Sequence, residues 1–166
     1  MNPNERPRTK DVGPNWRGRW FTVQFAVVLG LAVVAGRISL MFFSSHVPVG
    51  LVDGRLRSCP SSPNCVCSQD EDAGHRIEPL RFAGPPREAW DRLQALVEKL
   101  PRTKVVSRDD RYLHVEATTL VMRFVDDVEF LLDETQSVIH VRSASRVGHS
   151  DLGANRKRIE AIRLSW

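Results

Sequence analysis

The stretch Arg111–Ser143, RYLHVEATTLVMRFVDDVEFLLDETQSVIHVRS, gives the clearest indication of the fold of this chain. Leu113, Val115 and Ala117 alternate with polar residues, which is the pattern of a strand with one buried face. An apolar run follows, with a bend expected at its two adjacent aspartates, and a last strand comes after a polar turn. The predicted strands are 104–107, 111–118, 121–132 and 137–143. Because short turns connect them, we expect an antiparallel sheet.

Two helices are predicted to flank the strands. Pro86 suits the first position of the earlier helix, where an N–H has no partner within the helix. Its apolar stripe consists of Ala89, Trp90, Leu93, Leu96, Val97 and Leu100. Ser150 or Asp151 can cap the later helix. The residues of that segment expected in the core are Leu152, Ile159 and Ile162. This order predicts an α+β fold, an antiparallel sheet with two helices packed on one face, preceded by an N-terminal transmembrane helix.

Residues 20–43 are predominantly apolar and long enough to cross a bilayer, which takes roughly 20 residues. Basic residues precede this segment and predict a cytoplasmic N-terminus. The expected regions are a basic cytoplasmic tail at 1–19, a transmembrane anchor in the lipid bilayer at 20–43, a linker at 44–54 and an extracytoplasmic α+β domain at 55–166. The predicted location is the cell membrane, with a single pass and a domain that is periplasmic if the source is bacterial. A signal peptide cleaved near residues 33–35 is the alternative.

The charge distribution argues against nucleic-acid binding. The formal net charge is +4, but the basic excess is divided between the two ends of the chain. Zinc-finger spacing and interleaved aromatic and basic residues are missing from the sequence, so we predict no nucleic-acid partner. The phosphate-binding loop, the dinucleotide fingerprint and the nucleophile elbow are missing too, and we predict no cofactor.

Three cysteines, Cys59, Cys65 and Cys67, lie close together in the sequence. Outside the cytoplasm, cysteines at such spacing tend to form disulfides. Cys59 can pair with Cys65, closing a short loop that prolines bend, or with Cys67. A zinc site is the more specific alternative to a disulfide. The cysteine spacing does not match the usual zinc-binding pairs, so we predict no metal.

An acidic cluster, Asp126, Asp127 and Glu129, lies on the predicted sheet near His114. Paired carboxylates close to a histidine could serve a metal-assisted or acid/base hydrolase. The structural alternative is a polar, solvated sheet face on which these carboxylates pair with arginines of neighbouring strands.

The polar connection between the last strand and the last helix is the second candidate site. Its hydrogen-bond donors are Arg142, Ser143, Ser145, Arg146, Ser150, Asn155 and Arg156. With the N-terminus of the helix, they could bind an anionic small molecule, a lipid head group or an envelope component such as a protein. If these arginines instead bond to the acidic cluster, the domain is structural or serves protein interaction. Free guanidinium groups around a concavity would indicate ligand binding.

Separated motifs carry a resemblance to a known family. They are Cys59–Val66 (CPSSPNCV), Phe124–Phe130 (FVDDVEF) and Val141–Gly148 (VRSASRVG). From about Arg55 to its end, the chain resembles a membrane-anchored member of the family called domain of unknown function 1499. The resemblance implies no established activity, and members are often membrane-attached or exported. Relatives more often have serine at the position of Cys67, which implies that Cys67 is the unpaired thiol and Cys59–Cys65 the bridge.

Overall fold

The computed structural model describes residues 48–166. The predicted tail and anchor and the start of the predicted linker, residues 1–47, lie outside the described residues. Among residues 48–166, no helix is both long and apolar enough to span a membrane. The elements are β1 Leu51–Val52, β2 Arg55–Leu56, β3 Cys65–Cys67, β4 Leu80–Arg81, α1 Pro86–Glu98, β5 Thr103–Arg108, β6 Tyr112–Thr118, β7 Val125–Asp133, β8 Val138–Ser145 and α2 Ala154–Ser165.

The main sheet has the strand order β3-β8-β7-β6-β5, and all its strand pairs are antiparallel. Strand β4 pairs with the same edge of β8 as β3, further towards the start of β8. Strands β1 and β2 form a separate small hairpin. The predicted α+β fold with an antiparallel sheet and two helices is therefore confirmed.

The limits of all four predicted strands shift, and the changes at β7 and β8 affect the candidate site. The expected bend at Asp126-Asp127 is wrong, because β7 pairs with a neighbour on each side at both residues. Residues 119–124 form a loop before it. Strand β8 continues to Ser145, so Ser145 lies in the strand together with Arg142 and Ser143 and not in the polar connection.

Both helices contribute to one hydrophobic core on one face of the sheet. Trp90 and Leu93 of α1 and Ile159 of α2 are fully buried with Phe130 of β7. Leu152 was expected in this core, but it is 87% exposed. The reason is local, since α2 begins only at Ala154 and Leu152 lies in a turn with φ 53° before it.

The opposite face of the sheet is also covered, so the prediction of a solvated face is wrong. Leu56 of the small hairpin packs there against Leu131 and Cys67. The chain before the hairpin adds a long-range contact, because the Gly50 N–H donates to Glu129 Oε1 at 2.7 Å. The charged side chains at the centre of this face therefore lie in a second buried layer.

The predicted bridge between Cys59 and Cys65 is confirmed, and Cys67 is a free, buried thiol. The bridge joins the covering segment to the edge strand β3. In the chain-entropy description, closing so short a loop stabilises the fold by about 2 kcal/mol. Burial raises the pKa of the Cys67 thiol, which keeps it protonated and weakly nucleophilic.

Candidate functional site

A buried ion pair between Arg142 and Glu129 lies at the centre of the covered face. The Arg142 Nη1 donates to Glu129 Oε2 at 2.6 Å, and both side chains are fully buried. The Tyr112 hydroxyl donates to Glu129 Oε1 at 2.7 Å, and the Gly50 N–H donates to the same oxygen. Burial, followed by the bond to the Glu129 carboxylate, raises the pKa of Tyr112. Both carboxylate oxygens of Glu129 therefore accept hydrogen bonds from other groups of this chain.

A second network on the same face is centred on Asp127. Arg146 donates twice, from Nε to Oδ2 at 2.9 Å and from Nη2 to Oδ1 at 2.7 Å. His114 Nε2 lies 2.7 Å from Oδ1, and Arg146 also reaches Glu116 Oε1 at 2.6 Å. Burial acts to raise the pKa of Asp127, but the bonds from Arg146 and His114 outweigh it and hold the pKa well below its usual range. This carboxylate is a poor acid or base near neutral pH.

A third network lies on the core face, between β8 and α2. Asn155 is fully buried and accepts from Ser143 Oγ at 2.6 Å. Its amide donates to Ser145 Oγ at 2.9 Å and to the Asn64 carbonyl at 2.8 Å. Arg158 pairs with Asp126 and donates to Ser143 Oγ at 2.9 Å. Arg158 was not among the predicted site residues, because in the sequence it is one of several basic residues of the predicted last helix.

The acidic cluster is divided between the two faces of β7. Successive residues of a strand point to opposite sides, so Asp126 faces α2, whereas Asp127 and Glu129 face the covering hairpin. Each of the three carboxylates has its own arginine. Within residues 48–166, no group of three or more His, Cys, Asp or Glu side chains is arranged to hold a metal ion.

The donors of the polar connection are dispersed as well. Arg142 and Arg146 are paired with Glu129 and Asp127. Ser143, Ser145 and Asn155 belong to the core-face network. Arg156 donates to the Gly74 carbonyl at 3.0 Å, and the exposed Ser150 accepts from the Leu152 N–H at 3.3 Å. The predicted set thus serves separate structural contacts.

A polar cleft of about 660 Å³ lies at the other end of the sheet, where β7 turns into β8. Arg55, Arg76, Arg111, Ser68 and His140 line it. Among residues 48–166, the guanidinium groups of Arg76 and Arg111 take part in no hydrogen bond or ion pair. These arginines come from separate segments of the chain, and no spacing in the sequence indicates that they meet.

The cleft also contains acidic residues. Both Asp70 oxygens accept backbone N–H groups, from Cys59 at 2.7 Å and from Asp72 at 3.1 Å. Asp133 accepts from the Gln136 N–H at 3.0 Å, and this bond is the main reason that its pKa lies below the ordinary value. The remaining carboxylates of the lining are Glu71 and Glu134. The cleft thus presents charges of both signs.

Ser68, His140 and Asp133 meet on the wall of the cleft, but their geometry is not that of an activated nucleophile. The His140 Nδ1 lies 3.2 Å from Ser68 Oγ, and its Nε2 lies 3.7 Å from Asp133 Oδ2, beyond hydrogen-bond reach. The Ser68 hydroxyl also accepts the Val141 N–H at 2.9 Å. Burial lowers the pKa of His140. The contacts of Ser68 with His140 and Val141 therefore link the residue after β3 to β8.

The acid stability of the domain is expected to depend on Asp127. Because its pKa is lower in the folded than in the unfolded chain, it stabilises the fold above its unfolded pKa of about 3.9. This stabilisation is lost as the pH falls from about 5 towards the folded pKa. We expect Asp127→Asn to lose about 2 kcal/mol at pH 7 and to show a shallower decline in acid. Urea unfolding of residues 48–166 at several pH values measures both, and equal acid slopes for the parent and the variant would contradict the prediction.

Comparison with curated proteins and with solved structures returned no match. Comparison with protein families matched residues 55–165, from β2 to the last residue of α2, to the family described as Protein of unknown function (DUF1499). The matched region includes the disulfide, the side chains of the three charge networks and the residues that line the cleft from Arg55 onwards. Since it covers more than half of the chain, this protein belongs to the DUF1499 family.

Proposed function

We propose that this protein is a membrane-tethered extracytoplasmic binding domain, and that the cleft at the β7–β8 turn holds a polar ligand with an anionic group. The observation that carries the proposal is that the guanidinium groups of Arg76 and Arg111 lie on one concave surface and have no hydrogen-bond or ion-pair partner among residues 48–166. Guanidinium groups bind phosphate and carboxylate with two parallel hydrogen bonds.

The polar connection is less suited to this role. Its two strongest candidates, Arg142 and Arg146, already bond to buried carboxylates. A ligand would have to displace Glu129 or Asp127 and leave a buried charge unpaired. Breaking a buried ion pair in this way costs about 3–5 kcal/mol. The cleft arginines require no such exchange.

The mixed charge of the cleft narrows the class of ligand. Beside its arginines it presents Glu71 and Glu134, which repel a simple polyanion and accept hydrogen bonds from hydroxyl or ammonium groups. We therefore favour an anion that also carries such donors, for example a phosphorylated amino sugar of the cell envelope. The predicted anchor at 20–43 and the disulfide agree with an extracytoplasmic location, because disulfides persist in oxidising compartments.

We expect the amino-sugar ligand to raise the melting temperature of residues 48–166. The probes are inorganic phosphate, glycerol 3-phosphate and glucosamine 6-phosphate. A ligand that binds only the folded state at 100 times its Kd adds about 2.7 kcal/mol to the free energy of unfolding. The largest shift should come from glucosamine 6-phosphate, and Arg111→Ala should abolish it. The guanidinium group of the exposed Arg111 has no partner within residues 48–166, and the backbone bonds of Arg111 to Asp109 and Leu132 do not need its side chain, so this variant should remain folded.

Two control variants separate the cleft from other surfaces. Lys104→Ala removes an exposed cation from β5, outside the cleft lining, and should keep the full shift. Arg156→Ala removes a half-buried donor of the polar connection and should keep the shift too. If Arg156→Ala loses the shift and Arg111→Ala keeps it, the ligand binds at the polar connection. A shift with divalent metals that Asp127→Ala removes would favour the hydrolase alternative.

A further inference from the structure

The loop between β6 and β7 carries an apolar tip formed by Leu120, Val121 and Met122. These side chains are 71%, 83% and 61% exposed. Single exposed apolar residues are common on protein surfaces, but a run of consecutive ones is unusual in a soluble domain and indicates an interaction surface. The neighbouring loop after β8 adds the exposed Leu152, and both loops line one small cavity with Thr119 and Gly148.

The base of this loop is tied by hydrogen bonds. The Thr119 N–H donates to the Phe124 carbonyl at 2.8 Å, and the Phe124 N–H donates to Thr119 Oγ1 at 2.9 Å. Next to it, the Thr118 N–H donates to the Arg102 carbonyl at 2.9 Å. The apolar tip is therefore held outwards on a closed base, and its side chains are absent from the hydrophobic core.

Positive charge flanks the apolar tip. Arg123 follows it directly, and Arg102 lies at the base of the loop, where its Nε donates to the Thr118 carbonyl at 3.2 Å. Both arginines are exposed, and the segment 118–125 contains no acidic residue. Apolar side chains bordered by arginines match the chemistry of a bilayer surface, with an apolar interior below anionic head groups.

The position of the predicted tether allows this contact. Gly50 is fixed to Glu129, which lies four residues from the start of β7 at Val125. At about 3.3 Å per residue, this distance is about 13 Å along the strand. The chain from 44 to 49 can span up to about 20 Å when extended. A bilayer that holds residues 20–43 is thus within reach of the apolar tip.

We propose that the apolar tip inserts into the surface of the same bilayer that anchors the chain, with Arg102 and Arg123 at its anionic head groups. This inference rests on the membrane tether of the proposed function. It also orients the domain. The tip lies at the end of the sheet where β7 begins, and the polar cleft lies where β7 ends, so insertion of the tip turns the cleft away from the bilayer.

The test uses the full chain reconstituted in vesicles, with Val121→Cys labelled by an environment-sensitive fluorophore. The chain has three cysteines, of which two form the disulfide and Cys67 is buried, so the parent chain controls for labelling. Lys104→Cys, on the exposed part of β5, serves as the matched position. In vesicles that contain phosphatidylglycerol, we expect a blue shift and quenching by acyl-chain nitroxide lipids at Val121 and neither at Lys104. Arg123→Glu should reduce the quenching several-fold, as should vesicles of phosphatidylcholine alone.

The possible outcomes distinguish insertion of the apolar tip, here called the docking, from anchoring of the chain by residues 20–43, the tether. Resistance of the chain to carbonate extraction from the vesicles reports the anchor independently of the label. An anchored chain whose Val121 label remains in water overturns the docking and leaves the tether intact. If the label is shielded from water only at high protein density and is not quenched by the lipids, the apolar tip contacts other copies of the chain. This result also overturns insertion into the bilayer. If carbonate releases the chain and the label stays in water, both the tether and the docking fail.

Discussion

We expect the Arg142→Met variant to lose about 3–5 kcal/mol in the free energy of unfolding, because it leaves the carboxylate of Glu129 buried without its cation. Both side chains are fully buried and joined at 2.6 Å. Within residues 48–166, the Arg142 Nε and Nη2 have no hydrogen-bond partner, so the pair is incompletely compensated even in the parent. Urea denaturation of residues 48–166, followed by tryptophan fluorescence, measures the loss.

The double variant Arg142→Met with Glu129→Leu tests whether the unpaired charge causes this loss of stability. If the loss comes from an uncompensated charge, removing both partners should recover most of it. Tyr112→Phe serves as the matched control, since it removes one hydrogen bond to the same carboxylate and should cost only about 1 kcal/mol. A double variant that is as unstable as the single one would show that the guanidinium contributes by packing, and the charge argument would fail.

The second large effect is expected at Asn155, where replacement by alanine should cost about 3 kcal/mol, because polar groups of its buried neighbours lose their partners. Its amide is the donor to Ser145 Oγ, and its carbonyl oxygen accepts from Ser143 and Arg158. These bonds hold the start of α2 against β8. The same urea titration measures the effect.

Ser150→Ala is the control for Asn155. Ser150 lies in the exposed loop before α2, and its hydroxyl bonds only weakly to the Leu152 N–H, so the expected change is within about 0.5 kcal/mol. A loss of similar size in both variants would assign the effect to the loop as a whole. A negligible loss in Asn155→Ala would show that the neighbouring hydroxyls find other partners.

Local periodicity predicted much of this fold. The alternation at Leu113, Val115 and Ala117 and the apolar stripe around Trp90 both identify residues that the structure buries in the core. Such patterns work because the spacing of side chains along a strand or helix is a short-range property. They failed at Leu152, which follows the apolar spacing but precedes the first turn of α2.

The candidate site was harder to predict, because its parts are distant in sequence. The contact that covers Glu129 comes from Gly50, 79 residues away. The cleft combines Arg55, Arg76 and Arg111 with the β7–β8 turn, and no local pattern relates these positions. The acidic cluster and the basic residues were visible in the sequence, but their pairing depends on the register of β6, β7 and β8.

Residue type and spacing within short windows were enough to predict the antiparallel sheet and the two helices, and to show the closely spaced cysteines. The pairing of the charged side chains depends instead on how the strands pack. Strand register pairs Glu129 with Arg142 and leads Asp127 to Arg146, whereas the alternation of side chains sends Asp126 to the other face. An ion pair forms between groups that folding brings within about 4 Å, and that distance is a property of the packed chain.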